Sequence, residues 1–251
     1  MWPAHVINLA ANTARMENSA RELSRLGIAF ERLDAVNGWA MDEGAVAAVY
    51  DAGENARRGK YPLVRPEIGC YLSHVEAWRR IAEGEAEGGF VFEDDIRAED
   101  TLGEAMALLS GDEGRDWDMV KLFTFDTDPQ VVRERSLGRF RLATTYRVPT
   151  CLNGYGLTRD AAAHLAARAI PFFRPVDEDQ KFLWETGLRV ATLLPPQVRV
   201  GDQQAATGTI GTERRRAGAR QGLARLRQAL HGALYQWRYR RDLARHWKGK
   251  A

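Results

Sequence analysis

Strand and helix signals alternate along the chain from about residue 5 to residue 194, and this alternation constrains the fold more than any other feature. Short apolar runs typical of buried strands are separated by segments with apolar residues at helical spacing. The first strand, at 5–10, is followed by a helix over 13–26 that Gly27 ends. The pattern predicts an α/β fold with a mostly parallel central sheet and helices on both of its faces.

Three segments between these elements are less regular. Residues 53–65 combine glycine and arginine and are interpreted as an exposed loop, after which Pro66 opens the next helix. Residues 139–147 alternate apolar and polar side chains and are interpreted as an edge strand, whereas 176–186 is predicted to form one helix. The α/β unit as a whole is expected to span residues 1–211.

The apolar run that begins at Gly89 ends in three consecutive acids, Glu93, Asp94 and Asp95. Three carboxylates at the end of a buried strand repel one another and are costly to bury without a partner. Oxygen-rich sites suit Mg²⁺ or Mn²⁺, and ligands of open α/β sheets collect at the carboxyl ends of the strands. The sequence therefore predicts a cation that holds a phosphate-bearing substrate. The alternative is a solvated acidic turn, or a helix start with Asp95 as its cap.

The net charge of +2 conceals a basic tail. Residues 212–251 contain 12 Lys and Arg against Glu213 and Asp242, which gives this tail +10 and leaves −8 for the rest of the chain. Apolar residues recur at helical spacing in the tail, and aromatic rings accompany them: Leu223, Leu226, Leu230, Leu234 and Trp237, with Tyr235, Tyr239 and Trp247. We therefore predict a basic amphipathic helix that binds an anionic membrane surface. Nucleic acid explains the leucine stripe poorly, and the alternative is a helix packed on the body or in a dimer.

Composition favours a cytoplasmic protein. No apolar run approaches the roughly 20 residues that span a bilayer, and the start at Met1 lacks the basic region and apolar core of a signal peptide. Cys70 and Cys151 form neither zinc-type spacing nor a disulfide framework. Cys70 is interpreted as a small packing residue. Together with the tail, these features predict a peripheral protein at the inner face of the cell membrane, of unknown oligomeric state.

Three ordered blocks of the sequence form a recognisable series. The first combines Val6-Ile7-Asn8-Leu9 and Arg15 with residues 30–38; the second is 67–74 with Trp78 behind it, and the third is 91–95. In this order they resemble glycosyltransferase family 25, and the resemblance covers roughly residues 5–210. The family includes bacterial lipooligosaccharide β-galactosyltransferases and animal collagen galactosyltransferases. Membership implies a GT-A-like fold, a nucleotide-sugar donor and inversion at the anomeric carbon.

The resemblance also implies roles for particular residues. Asp95 is the first choice for coordinating Mn²⁺ or Mg²⁺, with Glu93 as its partner, and the alternative is a metal-independent enzyme whose acids contact the sugar. Donor contacts are expected from one further set of residues: Asn8, Leu9, Arg15, Ala35, Gly38, Ser73, His74 and Asp94. Arg15 is equally interpretable as a surface arginine, and Gly38 as part of a simple turn. Gln197 and residues 207–210 resemble a family tail that closes over the donor.

An inverting transfer needs a base within hydrogen-bond reach of the acceptor hydroxyl. The run Asp177-Glu178-Asp179 after Pro175 is the best candidate, with Asp177 or Asp179 ahead of Glu178; its alternative role is favourable charge at a helix N-terminus. The expected reaction moves a hexose from a UDP-sugar to a glycan or lipid-linked acceptor, such as growing lipopolysaccharide. The competing hypothesis is a non-catalytic relative that binds nucleotide sugars or glycans.

Overall fold

The computed structural model describes residues 1–201 and 223–249, with side chains from residue 229 onward in the second range. Ten strands lie in these residues: β1 Ala4–Asn8, β2 Glu31–Asp34, β3 Gly88–Glu93, β4 Ile96–Ala98, β5 Met119–Lys121, β6 Val131–Leu137, β7 Phe140–Thr145, β8 Gly154–Thr158, β9 Val190–Leu194 and β10 Val198–Val200. The α-helices in the same residues are α1 Thr13–Arg25, α2 Glu43–Val49, α3 Ala52–Arg58, α4 Arg65–Glu83, α5 Leu102–Ser110, α6 Arg159–Arg168, α7 Val176–Asp179, α8 Leu183–Thr186 and α9 Leu223–Lys248.

Eight strands form one central sheet in the order β2-β1-β3-β8-β5-β9-β7-β6, and β10 pairs with β4 in a small second sheet. Six strands of the large sheet run in one direction, while β8 and β7 run in the other. The predicted α/β fold with a large central sheet is confirmed. The sheet is mixed rather than uniformly parallel because β8 inserts in reverse between β3 and β5.

Alternate residues of the central strands pack in two separate cores. Phe90 packs in a core that includes Met106 of α5, whereas Val91 beside it packs in a second core that includes Trp78 of α4. This alternation follows from the two-residue period of a strand. Each fully buried side chain of this size stabilises the fold by about 1.5–3 kcal/mol. The predicted helices on both faces of the sheet are therefore present.

Helix α4 is the element that carries the second sequence block to the sheet. Pro66 lies in its first turn, and the Glu67 side chain accepts a hydrogen bond from the Val64 amide at 2.9 Å, which completes the N-terminus. Its buried face, which includes Ile68 and Trp78, packs in the same core as Val91 of β3. His74, midway along α4, lies close to the end of β3.

The sequence predictions for residues 53–65 and 176–186 need correction. The segment 53–65 is not wholly a loop, because Asp51 accepts a hydrogen bond from the Glu54 amide at 2.7 Å and starts α3. The single helix predicted over 176–186 is two short helices, α7 and α8. The break between them places Phe182 against the aromatic rings of α9.

The alternation in residues 139–147 predicted an edge strand, but strand β7 lies inside the sheet. It pairs with β9 on one side and with β6 on the other, so β6 is the edge strand. Most of β6 is exposed, so its sequence lacks the apolar pattern from which the strands were predicted. Gly138, at φ +58°, makes the tight turn between the two strands.

The C-terminal helix exists as predicted, but the face that meets the body is not the leucine stripe. Tyr235, Tyr239 and Leu243, spaced four residues apart, are buried with Phe182. Tyr235, Tyr239 and Trp247, interpreted from sequence as membrane-facing rings, instead contact the body. Their spacing matches a helix face as well as the leucine spacing does. The packing alternative is thus confirmed for this face of α9.

The leucine stripe of α9 remains at the surface in its described part. Leu230, Leu234 and Trp237 are 65%, 43% and 57% exposed. The side chains of Leu223 and Leu226, residues 207–210 and the predicted boundary at 211/212 lie outside the described residues. Among the residues that are described, no helix combines the length and the apolarity needed to cross a bilayer.

Candidate active site

The polar residues of the candidate site meet at one edge of the sheet. Asn8 ends β1, Glu93 ends β3 and Lys121 ends β5, and these three strands run in the same direction. Because β8 runs in reverse, Asn153 just before its start lies at the same edge. Carboxyl ends of parallel strands are where open α/β sheets bind ligands.

Asp94 and Asp95 are buried at this edge, 6% and 3% exposed. Asn8 donates a hydrogen bond from Nδ2 to Asp94 Oδ2 at 2.6 Å, and Asn153 donates from Nδ2 to Asp95 Oδ1 at 2.6 Å. Arg15 forms ion pairs with both acids, and its Nη2 lies 3.3 Å from Asp95 Oδ2. The acids therefore form a fixed, inward-facing group and not a solvated turn.

Burial of Asp94 and Asp95 disfavours their ionised forms. Burial and, after it, the charge of the neighbouring Glu93 together raise the pKa of Asp95 to about 7, with Arg15 opposing the shift. Burial likewise raises the pKa of Asp94, with Arg15 and Asn8 acting in the opposite direction. An added cation at this position would favour the ionised carboxylates. The all-oxygen donor set of these acids fits Mg²⁺ or Mn²⁺.

His74 connects α4 to the acid group. Its Nε2 lies 3.5 Å from Glu93 Oε1, and its Nδ1 lies 3.0 Å from the Tyr155 hydroxyl. Trp78 donates from Nε1 to the same hydroxyl at 2.9 Å. The three rings are buried together, so the imidazole is held in one orientation with Nε2 toward Glu93.

A strained turn links the acid group to the run 177–179. Cys151 has φ +79°, a conformation that non-glycine residues rarely adopt. Its carbonyl accepts a hydrogen bond from Lys121 Nζ at 2.7 Å, and its amide donates to Asp177 Oδ2 at 3.3 Å. Lys121 is fully buried, and burial lowers its pKa to about 8, against the opposing charges that include Asp177 and Glu93.

The three acids of α7 point to three different partners. Asp177 lies beside Cys151, near the acid group. Glu178 accepts a hydrogen bond from the Tyr235 hydroxyl of α9 at 2.7 Å. Asp179 pairs with the buried Arg174 at 3.0 Å and accepts from the Tyr71 hydroxyl at 2.8 Å. Of the candidate bases, Asp177 alone is therefore directed toward the sheet edge.

The remaining predicted donor residues make structural contacts at the ends of β1 and β2 and on α4. Ala35 donates its amide to the Asn8 carbonyl at 2.9 Å, and the Leu9 carbonyl accepts from the Asn12 amide at 2.8 Å where α1 begins. The Ser73 hydroxyl accepts from the Val36 amide at 2.8 Å. Gly38 presses on α4 so closely that a Cβ would lie 1.8 Å from the Arg65 carbonyl oxygen. Ser73 and Gly38 thus connect the segment that follows β2 to α4.

Gln197 was predicted to belong to a tail that closes over the donor, but its hydrogen bonds within the described residues do not reach the acid group. Gln197 is buried, accepts from the Thr101 hydroxyl at 2.7 Å and donates to the Pro195 carbonyl at 2.9 Å. These bonds fix the chain that follows β9.

Sequence reasoning did not assign a site role to Lys121, Cys151, Asn153 or Tyr155. Lys121 carried a usable signal, because a lysine inside an otherwise apolar strand needs a partner when it is buried. Asn153 carried a weaker one, as a polar residue directly before a buried strand. Nothing in the local sequence indicates that Cys151 adopts a positive φ.

Fold and candidate site together define an α/β protein with a buried acidic cluster at the carboxyl ends of its central strands. The sequence profile "Glycosyltransferase family 25 (LPS biosynthesis protein)" matches residues 1–179, which is more than half of the chain. The chain belongs to glycosyltransferase family 25, which confirms the resemblance inferred from the three sequence blocks.

Individual relatives are similar over parts of the chain. Procollagen galactosyltransferase 1-B of Xenopus laevis is 33% identical over 47% of this chain and 20% of its own length. Procollagen galactosyltransferase 1 of Danio rerio is 29% identical over 69% of this chain and 30% of its own length. Inactive glycosyltransferase 25 family member 3 of Homo sapiens is 28% identical over 50% of this chain and 22% of its own length. The chain matches about a fifth to a third of the length of these relatives.

Proposed function

We propose that the protein is an inverting glycosyltransferase with a GT-A-like fold. It moves a hexose, galactose or glucose, from a UDP-sugar to a hydroxyl of a growing bacterial surface glycan such as lipopolysaccharide. Family membership supports the transferase class. The observation that carries the proposal is the buried pair Asp94 and Asp95 at the end of β3, with Asp177 facing the same edge across the Cys151 turn.

The proposed metal ligands are Asp95 and Glu93, for Mn²⁺ or Mg²⁺. Such an ion would offset the negative charge that develops on the leaving nucleoside diphosphate. Arg15 already supplies one positive charge between Asp94 and Asp95. Its planar guanidinium is suited to phosphate oxygens, so we assign it to the donor as well. Asn8 positions Asp94, and Asn153 positions Asp95.

Asp177 is the proposed general base. It removes the proton from the acceptor hydroxyl as that oxygen attacks the anomeric carbon, and the sugar–phosphate bond breaks with its electrons passing to the diphosphate. Lys121 does not meet the substrate in this proposal. It holds the Cys151 carbonyl, and the Cys151 amide in turn holds Asp177.

The test compares two aspartates that differ in position but receive the same substitution. Asp95→Asn keeps the side-chain volume and removes a proposed ligand, so metal-dependent sugar transfer should fall by about a hundredfold or more with the fold retained. Asp100→Asn changes an exposed aspartate that pairs with Arg25 and should leave transfer unchanged. Transfer and donor-dependent thermal stabilisation are measured with a panel of nucleotide sugars plus Mn²⁺. Parental transfer by Asp95→Asn would refute the metal assignment.

A second candidate is a non-catalytic protein that binds nucleotide sugars or glycans. It is favoured by the similarity to a human relative named as inactive. Binding without turnover in the same donor panel would support it. Donor hydrolysis or transfer that depends on Asp95 would exclude it.

We further propose that α9 binds an anionic membrane surface at the cytoplasmic face, where a lipid-linked acceptor is assembled. The supporting features are the exposed Leu230, Leu234 and Trp237 and the basic residues around them. Arg241 lies over the Trp237 ring at 5.0 Å, so charge and apolar surface are adjacent. Each basic residue near an anionic surface contributes about 1 kcal/mol, and the apolar face adds burial.

A further inference from the structure

A group of three potential metal ligands lies beside Asp95 but differs from it in chemistry. Cys70 and His74 are one turn apart on the same face of α4, and Glu93 ends β3 opposite them. The Cys70 thiol, an imidazole nitrogen of His74 and a carboxylate oxygen of Glu93 all lie within 4.8 Å of one another. We call these three residues the Cys70–His74–Glu93 cluster.

An unsatisfied buried atom points into this cluster. His74 is 1% exposed, and its Nε2 makes no hydrogen bond. A buried polar atom without a partner costs about 1–3 kcal/mol, so such atoms call for an explanation. The contact between His74 Nδ1 and the Tyr155 hydroxyl, at 3.0 Å, favours this orientation of the ring. Histidines that bind metals are oriented in the same way, by a partner on the other ring nitrogen.

The donor set of the cluster suits a softer ion than the all-oxygen acid pair does. Thiolate and imidazole ligands favour Zn²⁺ and its neighbours in the first transition row over Mg²⁺. Ligand atoms around a tetrahedral Zn²⁺ lie about 3.5 Å apart, and the His74 Nε2 to Glu93 Oε1 distance is 3.5 Å. One thiolate and one carboxylate also balance the double positive charge. Cys70 is partly buried as a residue, and burial raises the pKa of its thiol, so the thiol keeps its proton until a metal ion displaces it.

We propose that Cys70, His74 and Glu93 bind Zn²⁺ at a second cation site beside the acid pair. On binding, the Cys70 thiol releases its proton to solvent and its sulfur forms the metal bond. The neutral imidazole binds through Nε2 and keeps its proton on Nδ1, toward the Tyr155 oxygen. Because Glu93 belongs to both sites, Zn²⁺ withdraws it from Asp95. Zn²⁺ is therefore an antagonist of Mn²⁺, a consequence that rests on the proposed function, whereas zinc binding itself does not.

Cobalt spectroscopy tests the site without any sugar substrate. Co²⁺ occupies zinc sites and gives a thiolate-to-cobalt absorption band in the near ultraviolet. The full-length protein, reduced and freed of metal, should develop this band at one equivalent of Co²⁺ and lose it when Zn²⁺ is added. Cys70→Ser should abolish the band, and His74→Gln should weaken Co²⁺ binding by about tenfold or more.

Cys151→Ser is the matched control. Cys151 is the second cysteine of the chain and lies near the same acids, but it is not in the cluster. This variant should keep the band, and thermal melts establish that all three variants fold. The proposal is overturned if the parent gives no band, or if Cys151→Ser removes the band while Cys70→Ser retains it. None of these readouts depends on sugar transfer, so failure here is distinguishable from failure of the proposed function.

Discussion

Asp177, Glu178 and Asp179 are adjacent acids in the sequence, but their side chains have different contact partners. Each is an acid in the first turn of a short helix. One turns to the Cys151 amide, one to Tyr235 and one to Arg174. The proposed division between chemistry, at Asp177, and stability, at Glu178 and Asp179, therefore falls within three consecutive residues.

This division predicts opposite phenotypes for two similar substitutions. Asp177→Asn should slow sugar transfer strongly while donor affinity stays nearly constant, because a base acts on the acceptor. Asp179→Asn should instead lower the free energy of unfolding by about 1–3 kcal/mol, because it weakens the partner of the buried Arg174. Urea unfolding, donor calorimetry and transfer rates measure the three quantities. Unimpaired transfer by Asp177→Asn would remove it as the base.

Lys121 predicts a pH dependence of stability. Its pKa is lowered to about 8 by burial, whereas in the unfolded chain it is about 10.4. Below about pH 8 the folded protein carries the full cost of the buried charge. As pH rises from about 8 to 10 the unfolded state binds more protons, so this contribution to stability rises by at most about 1.4 kcal/mol per pH unit.

The comparison is with Lys121→Met, which lacks the titrating group. At neutral pH the Lys121→Met variant should have the advantage in free energy of unfolding. This advantage, measured by urea from about pH 7 to 10, should shrink as the pH rises. If the difference between the two free energies of unfolding does not change with pH, the pKa of Lys121 is not lowered in the folded protein. Loss of the bond to the Cys151 carbonyl shifts the variant by a constant amount and leaves the slope intact.

At the scale of elements, α9 has two apolar faces, and sequence periodicity identified only one of them. Leu230, Leu234 and Trp237 follow helical spacing, but so do Tyr235, Tyr239 and Leu243. Periodicity shows that residues share a face and does not say what the face meets. The decision depends on Phe182 and Trp184, which lie some fifty residues earlier in the chain.

Two leucines of α9 test this assignment. Leu243 is 1% exposed, and Leu243→Ala should destabilise the protein by about 2–5 kcal/mol, because it leaves a cavity under the helix. Leu234 is 43% exposed, and Leu234→Ala should change stability by less than about 0.5 kcal/mol. Thermal and urea unfolding of the two variants provide the measurement. Equal effects would mean that α9 does not pack on the body through this face.

Other elements differ in how far the sequence determined them. The strand that ends in Glu93 and the helix that begins at Pro66 were predictable, because apolar runs, caps and helix starts are local features. The interior position of β7 was not, since it depends on an exposed partner strand. Within the site, the acid triplet was recognisable by its charge. Its partners Asn153 and Lys121 were not, because the sheet alone brings them to the same edge.

At the scale of the whole molecule, the proposed membrane surface lies on the side of α9 opposite to the buried rings. Replacing Leu230, Leu234 and Trp237 by serine should reduce binding to anionic vesicles while leaving the fold intact, since all three are exposed. Trp39→Ser removes a comparably exposed tryptophan elsewhere, 60% exposed, and should have no effect. Vesicle co-sedimentation measures binding, which should weaken as salt rises. If the parent ignores anionic vesicles at low salt, the membrane proposal fails.

The hydrogen bond from Tyr235 to Glu178 has a consequence for genetics. Glu178 is the direct neighbour of Asp177, so damage to α9 reaches the proposed base through one peptide unit. A screen of random variants for lost activity would therefore recover Tyr235 together with the acids, although its hydroxyl bonds to Glu178 and not to the acid pair. Assays on purified protein would distinguish Tyr235 variants from variants of the acids. Tyr235 variants should show a loss of stability that is larger than their loss of turnover.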